Sequence, residues 1–156
     1  MAPDDLPDVE AVGARVHPDY PEDDAVFQER LRLYPAGCLV LRAGAGIAGY
    51  AISHPGLLDH PPKLNTLLGA LPAHPDSYFI HDLAVLAQAR GSGAGAAAIA
   101  HLAEQARGRG FVTLSLVAVS GSAGFWQRLG FAPIDAMTPR VASYGPTARF
   151  MLRRLS

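Results

Sequence analysis

Residues Tyr78 to Arg107 constrain this chain more than any other stretch. Tyr78-Phe-Ile-His-Asp-Leu-Ala-Val85 is an apolar run of strand type. Gln88-Ala-Arg-Gly-Ser-Gly-Ala-Gly95 follows, and from about Ala96 to Arg107 the sequence reads as a helix rich in Ala, Ile and Leu. Glycines at positions 91, 93 and 95 remove the side chains that would hold a ligand off the backbone. The free amides of the first helical turn and the helix dipole then favour an anion. Arg90 adds a fixed positive charge. A strand, this turn and this helix make a pyrophosphate cradle.

Three cradles have to be separated. A P-loop needs Lys followed by Ser or Thr after its last glycine, whereas Gly95 is followed by Ala96-Ala97-Ala98. Gly91, Gly93 and Ala96 match part of a dinucleotide-binding fingerprint, which also needs an acid about 20 residues on. No acidic residue occurs between Gln105 and Ile134. The third cradle is carried by two segments together. Arg90-Gly-Ser-Gly-Ala-Gly95 resembles the Q/R-x-x-G-x-G/A motif of the GCN5-related N-acetyltransferases (GNAT superfamily). Phe125-Trp-Gln-Arg-Leu-Gly-Phe131 resembles that family's F-Y-x-K-x-G-F segment. One helix and one strand separate them, as in the family.

That resemblance implies an α/β fold: a central mixed, mostly antiparallel sheet of about six strands with a V-shaped splay, flanked by about four helices. It implies acetyl-coenzyme A as co-substrate. The pantetheine contacts are expected at Leu83, Ala84 and Val85. The pyrophosphate contacts are expected at Arg90, Gly91, Ser92, Gly93, Ala94 and Gly95, with Ser122, Phe125 and Trp126 beside the cofactor. Residues 1–156 are expected to form a single acetyl-CoA-binding domain.

Elsewhere the pattern predicts helices from Asp4 or Asp5 to about Ala14 and from Glu22–Asp24 to about Leu33. A hairpin of Gly37–Arg42 and Ile47–Ser53 follows. The family opens with a strand before its first helix, and only Met1-Ala-Pro stands there, so that strand is missing or vestigial. Leu64, Leu67, Leu68 and Leu71 have helical spacing and predict a short helix over 62–71, inside a proline- and histidine-rich insertion, 54–76. Further strands are expected at Phe111–Val119, Ala132–Met137 and Ala148–Leu152. A short helix over 122–129 and an irregular loop, Thr138–Thr147, complete the chain.

Composition narrows the function classes. Hydrophobic residues are 49% and net charge is −1, so the chain is globular and carries no basic footprint for nucleic acid. The first 24 residues hold eight of the 14 acids, either a solvated face or a rim that attracts a cationic amine. The lone Cys38 permits no internal disulfide and lies in a strand pattern, which predicts a buried, inert thiol and a cytoplasmic location. No apolar run suggests a membrane span. The resemblance implies acetyl transfer to the primary amine of a small molecule, with a non-catalytic acyl-CoA-binding module or acetylation of a protein N-terminus as the alternatives; the expected partner is a small amine, with a homodimer left open.

Transfer of acetyl to an amine needs a base, an oxyanion donor and a way to stabilise the thiolate. His81 lies two residues before Leu83, on the same strand face by period 2, and is either the base or a hydrogen-bonded core histidine. The matching strand of arylalkylamine acetyltransferases, which His81-Asp-Leu-Ala-Val resembles, carries a base-pathway histidine there. Asp82 points to the opposite face as a paired anchor, unless a bulge rotates it into the site. Trp126 stands where the family's tyrosine offers its hydroxyl to the sulfur, and an indole N–H is no acid. Tyr144 and Tyr50 are the hydroxyls left to replace it. Ser120 and Ser122 either bind the cofactor or cap the short helix. Histidines 17, 54, 60, 74 and 101 have no metal-ligand spacing and read as turn and loop residues; no metal is expected.

Overall fold

A computed structural model describes residues 1–156. A 3-10 turn at Pro3–Asp5 leads into α1 (Leu6–Val16), and α2 is Asp24–Leu33. The hairpin strands are β1 (Cys38–Ala43) and β2 (Gly46–Gly56). Next come β3 (Ser77–Val85), α3 (Ala94–Gly108), β4 (Thr113–Ala118) and α4 (Ala123–Arg128), and β5 (Ala132–Pro133) and β6 (Arg149–Arg154) close the chain. The six strands run in the order β1-β2-β3-β4-β6-β5. All neighbours are antiparallel except β3 and β4, which α3 connects as a crossover. The sheet is therefore mixed and mostly antiparallel, with four α-helices, as the resemblance implies.

The helices cover both faces. Val9, Val12, Phe27 and Leu31 of α1 and α2 pack on Tyr50, Ile52 and Ala84. Ile99, Leu102, Ala106 and Trp126 of α3 and α4 pack on Tyr78, Ile80, Leu114 and Met151. No strand precedes α1 within these residues. The Met1 ammonium instead donates to the Cys38 carbonyl at 3.0 Å, and Arg42 pairs with Asp5, so the N-terminal turn is tied to β1. Cys38 is buried, and burial pushes its thiol up to about 11.

Two irregularities in β3 position the site. Ile52 pairs with Asp82 and Ser53 with Ile80, so His81 is an extra, bulged residue. The bulge inverts the alternation. Tyr78 and Ile80 face α3, yet Asp82 and Ala84 turn to the α1 face and Leu83 to the α3 face. The expected same-face relation of His81 and Leu83 is thereby lost. On its other side β3 meets β4 only from Tyr78/Leu114 to Ile80/Leu116, and the strands then part.

Three expectations fail, the first because side chains took over backbone groups that a helix would have used. No helix forms over 62–71. The amide of Leu64 donates to Ser143 Oγ, that of Asn65 to Glu22, and those of Leu68 and Gly69 to Glu29. Asn65 and Gly69 have positive φ, which no helix allows. The leucines serve separate places: Leu64 packs beside Tyr144, Leu71 on the α3 core, and Leu67 is 59% exposed. The strand expected at Ala132–Met137 stops at Pro133. The loop expected at Thr138–Thr147 is mostly 3-10 turns, Asp135–Tyr144, kinked at Val141.

Segment 58–69 is thus an ordered strap. Arg30, 1% exposed, donates to Glu29 at 2.7 Å and to the Thr66 carbonyl at 3.1 Å. Removing one member of a buried pair strands the other charge. Arg30→Ala is expected to lower unfolding free energy by about 3 kcal/mol, read as a shifted urea midpoint.

Candidate active site

Where β3 and β4 part, a cavity of about 510 Å3 opens. Its walls include His17, Tyr20, Glu22, Asp82, Tyr144 and Trp126. A second groove of about 590 Å3 runs along the glycine turn, lined by Arg90, Gly91, Gly93, Gly95, Phe125 and Arg128. The two share Val16, Leu83, Arg90 and Phe125, so they are one continuous cleft with a polar end and a glycine-lined end.

At the glycine end the local geometry follows from residue type. Gly91 and Gly93 have φ of 80° and 82°, in the left-handed region, and Gly93 caps α3. A Cβ at Gly95 would sit 3.4 Å from Phe125 Cζ and 3.7 Å from Leu83 Cδ2, so any larger side chain would fill the groove. The α3 amides of Ala94 and Gly95 point out of the first turn, with Ser92 Oγ 3.3 Å from the Ala94 nitrogen. Arg90 folds back, its Nε donating to the Val85 carbonyl at 3.1 Å. Past Ile80, no β4 residue pairs with Leu83, Ala84 or Val85, leaving that edge of β3 without a strand partner. These residues fit an extended arm ending in a pyrophosphate.

The polar end holds two carboxylate–imidazole pairs. Asp82 accepts from the Tyr50 hydroxyl and lies 3.1 Å from His17 Nε2, which also sits 3.1 Å from the Leu83 carbonyl. Burial alone would raise the Asp82 carboxyl; the bond to His17, its charge and the Tyr50 hydroxyl outweigh it, and the net direction is down. Burial would lower His17, but Asp82 wins and the imidazole is raised. Burial and the neighbouring carboxylate push the Tyr50 phenol well up. In the other pair His81 Nε2 is 2.8 Å from Glu22 Oε1, with the His81 side chain 2% exposed. His81 Nδ1 is buried without a partner. So is Nε2 of His54, whose ring lies 6.3 Å away and whose Nδ1 is 2.8 Å from the Pro55 carbonyl. Burial holds the His54 imidazole down to about 3.

The remaining named residues fall in distinct places. Trp126 is 7% exposed, edge-to-face between Phe125 and Phe131 in the α3-side core. Tyr144 donates its hydroxyl to the Pro62 carbonyl at 2.9 Å, and burial raises its phenol. Ser122 precedes α4 but makes no side-chain cap bond, so its hydroxyl stays on the cavity wall. Ser120 lies beside it in the left-handed region, φ 52°. His17, Glu22, Asn65 and Arg128 are the residues that sequence reasoning did not bring to the site. His17 and Glu22 reach their partners across 65 and 59 positions (82 − 17 and 81 − 22), and no local signal marks such contacts. No group of three or more His, Cys, Asp or Glu is arranged to hold a metal. No helix is long and apolar enough to cross a membrane.

A splayed sheet whose crossover helix opens on a glycine turn defines a fold shared by many solved proteins. It resembles the GNAT-like decarboxylase GphF, in complex with isobutyryl-CoA (TM-score 0.83, 17% identity, covering 100% of this chain and 97% of that one). It also resembles the ribosomal-protein-S18-alanine N-acetyltransferase of Escherichia coli (0.66, 22%, 100% and 91%). A third likeness is to the GNAT family N-acetyltransferase YhbS of Escherichia coli, in complex with CoA (0.63, 19%, 100% and 79%). No protein of curated function matches in sequence. The family model of the acetyltransferase (GNAT) family matches residues 5–131, and the chain belongs to that family.

The opposite shifts of His17 and Asp82 set a stability window. The His17 contribution is full below the ordinary imidazole value of 6.5 and is lost as pH rises through its raised folded value. The Asp82 contribution is full above the ordinary 3.8 and is lost as pH falls through its depressed folded value. His17→Gln is therefore expected to destabilise most between these two values and progressively less in alkali, read from urea midpoints across the pH range.

Proposed function

We propose that this chain is an acetyl-CoA-dependent N-acetyltransferase acting on the primary amine of a small molecule. The observation that carries the reading is the juxtaposition of two carboxylates, Glu22 and Asp82, with a glycine-lined groove continuous with their cavity. Carboxylates at that end attract an ammonium and favour its proton leaving toward the protein.

Bound acetyl-CoA supplies the acetyl thioester. The amides at Gly91–Gly95, with Arg90 and Arg128 beside them, hold the pyrophosphate. The open edge of β3 at Leu83–Val85 pairs with the pantetheine arm, and Phe125 and Gly95 shape the channel. Glu22, on the cavity wall, receives the ammonium proton, and His81 behind it shares the charge. Asp82, kept ionised by His17 and Tyr50, holds the amine in place. Trp126 is an indole in the core and the Tyr144 hydroxyl is committed to Pro62, so thiolate protonation falls to solvent.

A second reading has one observation behind it. A decarboxylation of an acyl-CoA leaves the thioester intact and needs no acid at the sulfur, which suits a site with Trp126 in the tyrosine's place. The likeness to GphF runs the same way. Glu22 and Asp82 oppose it, because a substrate carboxylate would meet like charge.

Incubation with acetyl-CoA and a panel of primary amines is expected to release coenzyme A. Glu22→Gln and His81→Ala should each lower kcat about 100-fold while leaving coenzyme A affinity unchanged. Release of carbon dioxide from a carboxyacyl-CoA, with no amine acetylated, would instead establish the second reading. Tight acetyl-CoA binding with no turnover of any kind would leave a binding module. Gly95→Leu is expected to weaken coenzyme A binding tenfold or more by calorimetry, since its side chain occupies the groove.

A further inference from the structure

The strap 58–69 is fastened at three places, and two of them involve residues of the polar cavity wall, Tyr144 with Leu64 and Glu22. Tyr144 and Ser143 hold it from one side through the Pro62 carbonyl at 2.9 Å and the Leu64 amide at 3.0 Å. Glu29 and Arg30 hold its far end through Leu68, Gly69 and Thr66. Between them lies Asn65. Its side-chain oxygen accepts from the Asp23 amide at 2.7 Å, and its own amide donates to Glu22 Oε2 at 3.1 Å. The other oxygen of that same carboxylate, Oε1, meets His81 Nε2 at 2.8 Å. Leu64, the residue before Asn65, lines the cavity between Tyr20 and Tyr144.

We infer that the strap closes the acceptor end of the cavity, so that the acceptor must be a free small amine rather than the end of a polypeptide, and that Glu22 couples strap closure to the orientation of His81. The inference rests on the N-acetyltransferase reading for its substrate and on geometry alone for its coupling. The strap bridges the 18–23 turn, through Asn65, and Ser143–Tyr144, through Pro62 and Leu64, so a polypeptide amine could have its following residues leave on that side only by displacing the strap. A carboxylate has two oxygens, and here each is committed: one fixes the strap backbone and the other fixes the imidazole. With the strap in place the Glu22 carboxylate is held in one rotamer, and His81 with it. With the strap detached, Oε2 loses its donor and the carboxylate is free to rotate off His81. Asn65 is the positioning residue for this coupling. It touches Glu22 and Asp23 but not His81.

Asn65→Pro removes the amide that donates to Glu22 and forbids the observed φ of 54°. Two measurements test the inference separately. The first is 15N NMR of the histidine rings, which needs no substrate. Wild type should show His81 in one tautomer protonated at Nε2, and Asn65→Pro should move that signal toward an averaged one while coenzyme A affinity stays within twofold. An unmoved His81 signal would overturn the coupling, whatever the activity. The second compares acceptors sharing one free α-amine and growing from an amino-acid amide to an octapeptide. In wild type kcat/KM should fall at least 100-fold beyond the dipeptide. In Asn65→Pro the small-amine kcat should fall about tenfold while the peptide-to-amide ratio rises at least tenfold. Equal use of octapeptide and amide by wild type would overturn the closure. If neither acceptor is acetylated, the failure belongs to the proposed function, and the ring signal still decides the coupling.

Discussion

Everything at this site depends on β3 being unable to keep a regular ladder on both sides. A strand pairs its amides and carbonyls alternately with two neighbours, and buried groups left unpaired are costly. On the β2 side, the bulge at His81 inserts one residue, and the register resumes with opposite facing. On the β4 side, pairing stops after Ile80. The first break turns Asp82 toward Tyr50 and His17. The second leaves the edge of Leu83 to Val85 to whatever lies in the cleft. The cavity, the free strand edge and the carboxylate at its base are consequences of that one irregular stretch.

Titratable groups follow a second rule. Buried ionisable side chains near the cleft have a hydrogen-bonded partner or a fixed neutral form: Asp82 with His17, Glu22 with His81, Glu29 with Arg30, and His54 held neutral by burial. Paired groups tolerate burial that isolated ones would not. The pairs also link elements distant in the chain. His17 ends α1, Glu22 precedes α2, and both close on β3. The strap 58–69 gains order in the same way, from Glu29 and Arg30, although it holds no helix or strand.

Local pattern made the frame legible. The glycine run at 91–95 and the apolar stretch to Arg107 identified β3, its turn and α3 to within a few residues, because each is written in consecutive positions. Phe125 to Phe131 located α4 in the same way. The site was only half legible. Alternation put His81 with Leu83, and the bulge that cancels it leaves no mark in the sequence, since it reflects how β2 and β3 fit together. His17 and Glu22 looked like turn and helix-start residues because their partners lie some 60 positions away. The leucines at 64, 67, 68 and 71 gave a helical period that was real as spacing and irrelevant as structure. Ser143, Glu22 and Glu29 had already claimed the backbone.

The short β3–β4 ladder has a mechanical consequence. Strands β1, β2 and β3 form one stiff sheet, and β4, β6 and β5 form another; three residue pairs are the seam between them. Only Tyr78, Phe79 and Ile80 carry that seam, reinforced by Ser77 Oγ against Ser115 Oγ at 2.8 Å and by α3 lying across both halves. The protein is thus two plates joined near one end of a hinge line. Any extended molecule that pairs with the free edge of β3 lengthens the seam and braces the plates against each other. A ligand bound there also stabilises the folded sheet by mass action.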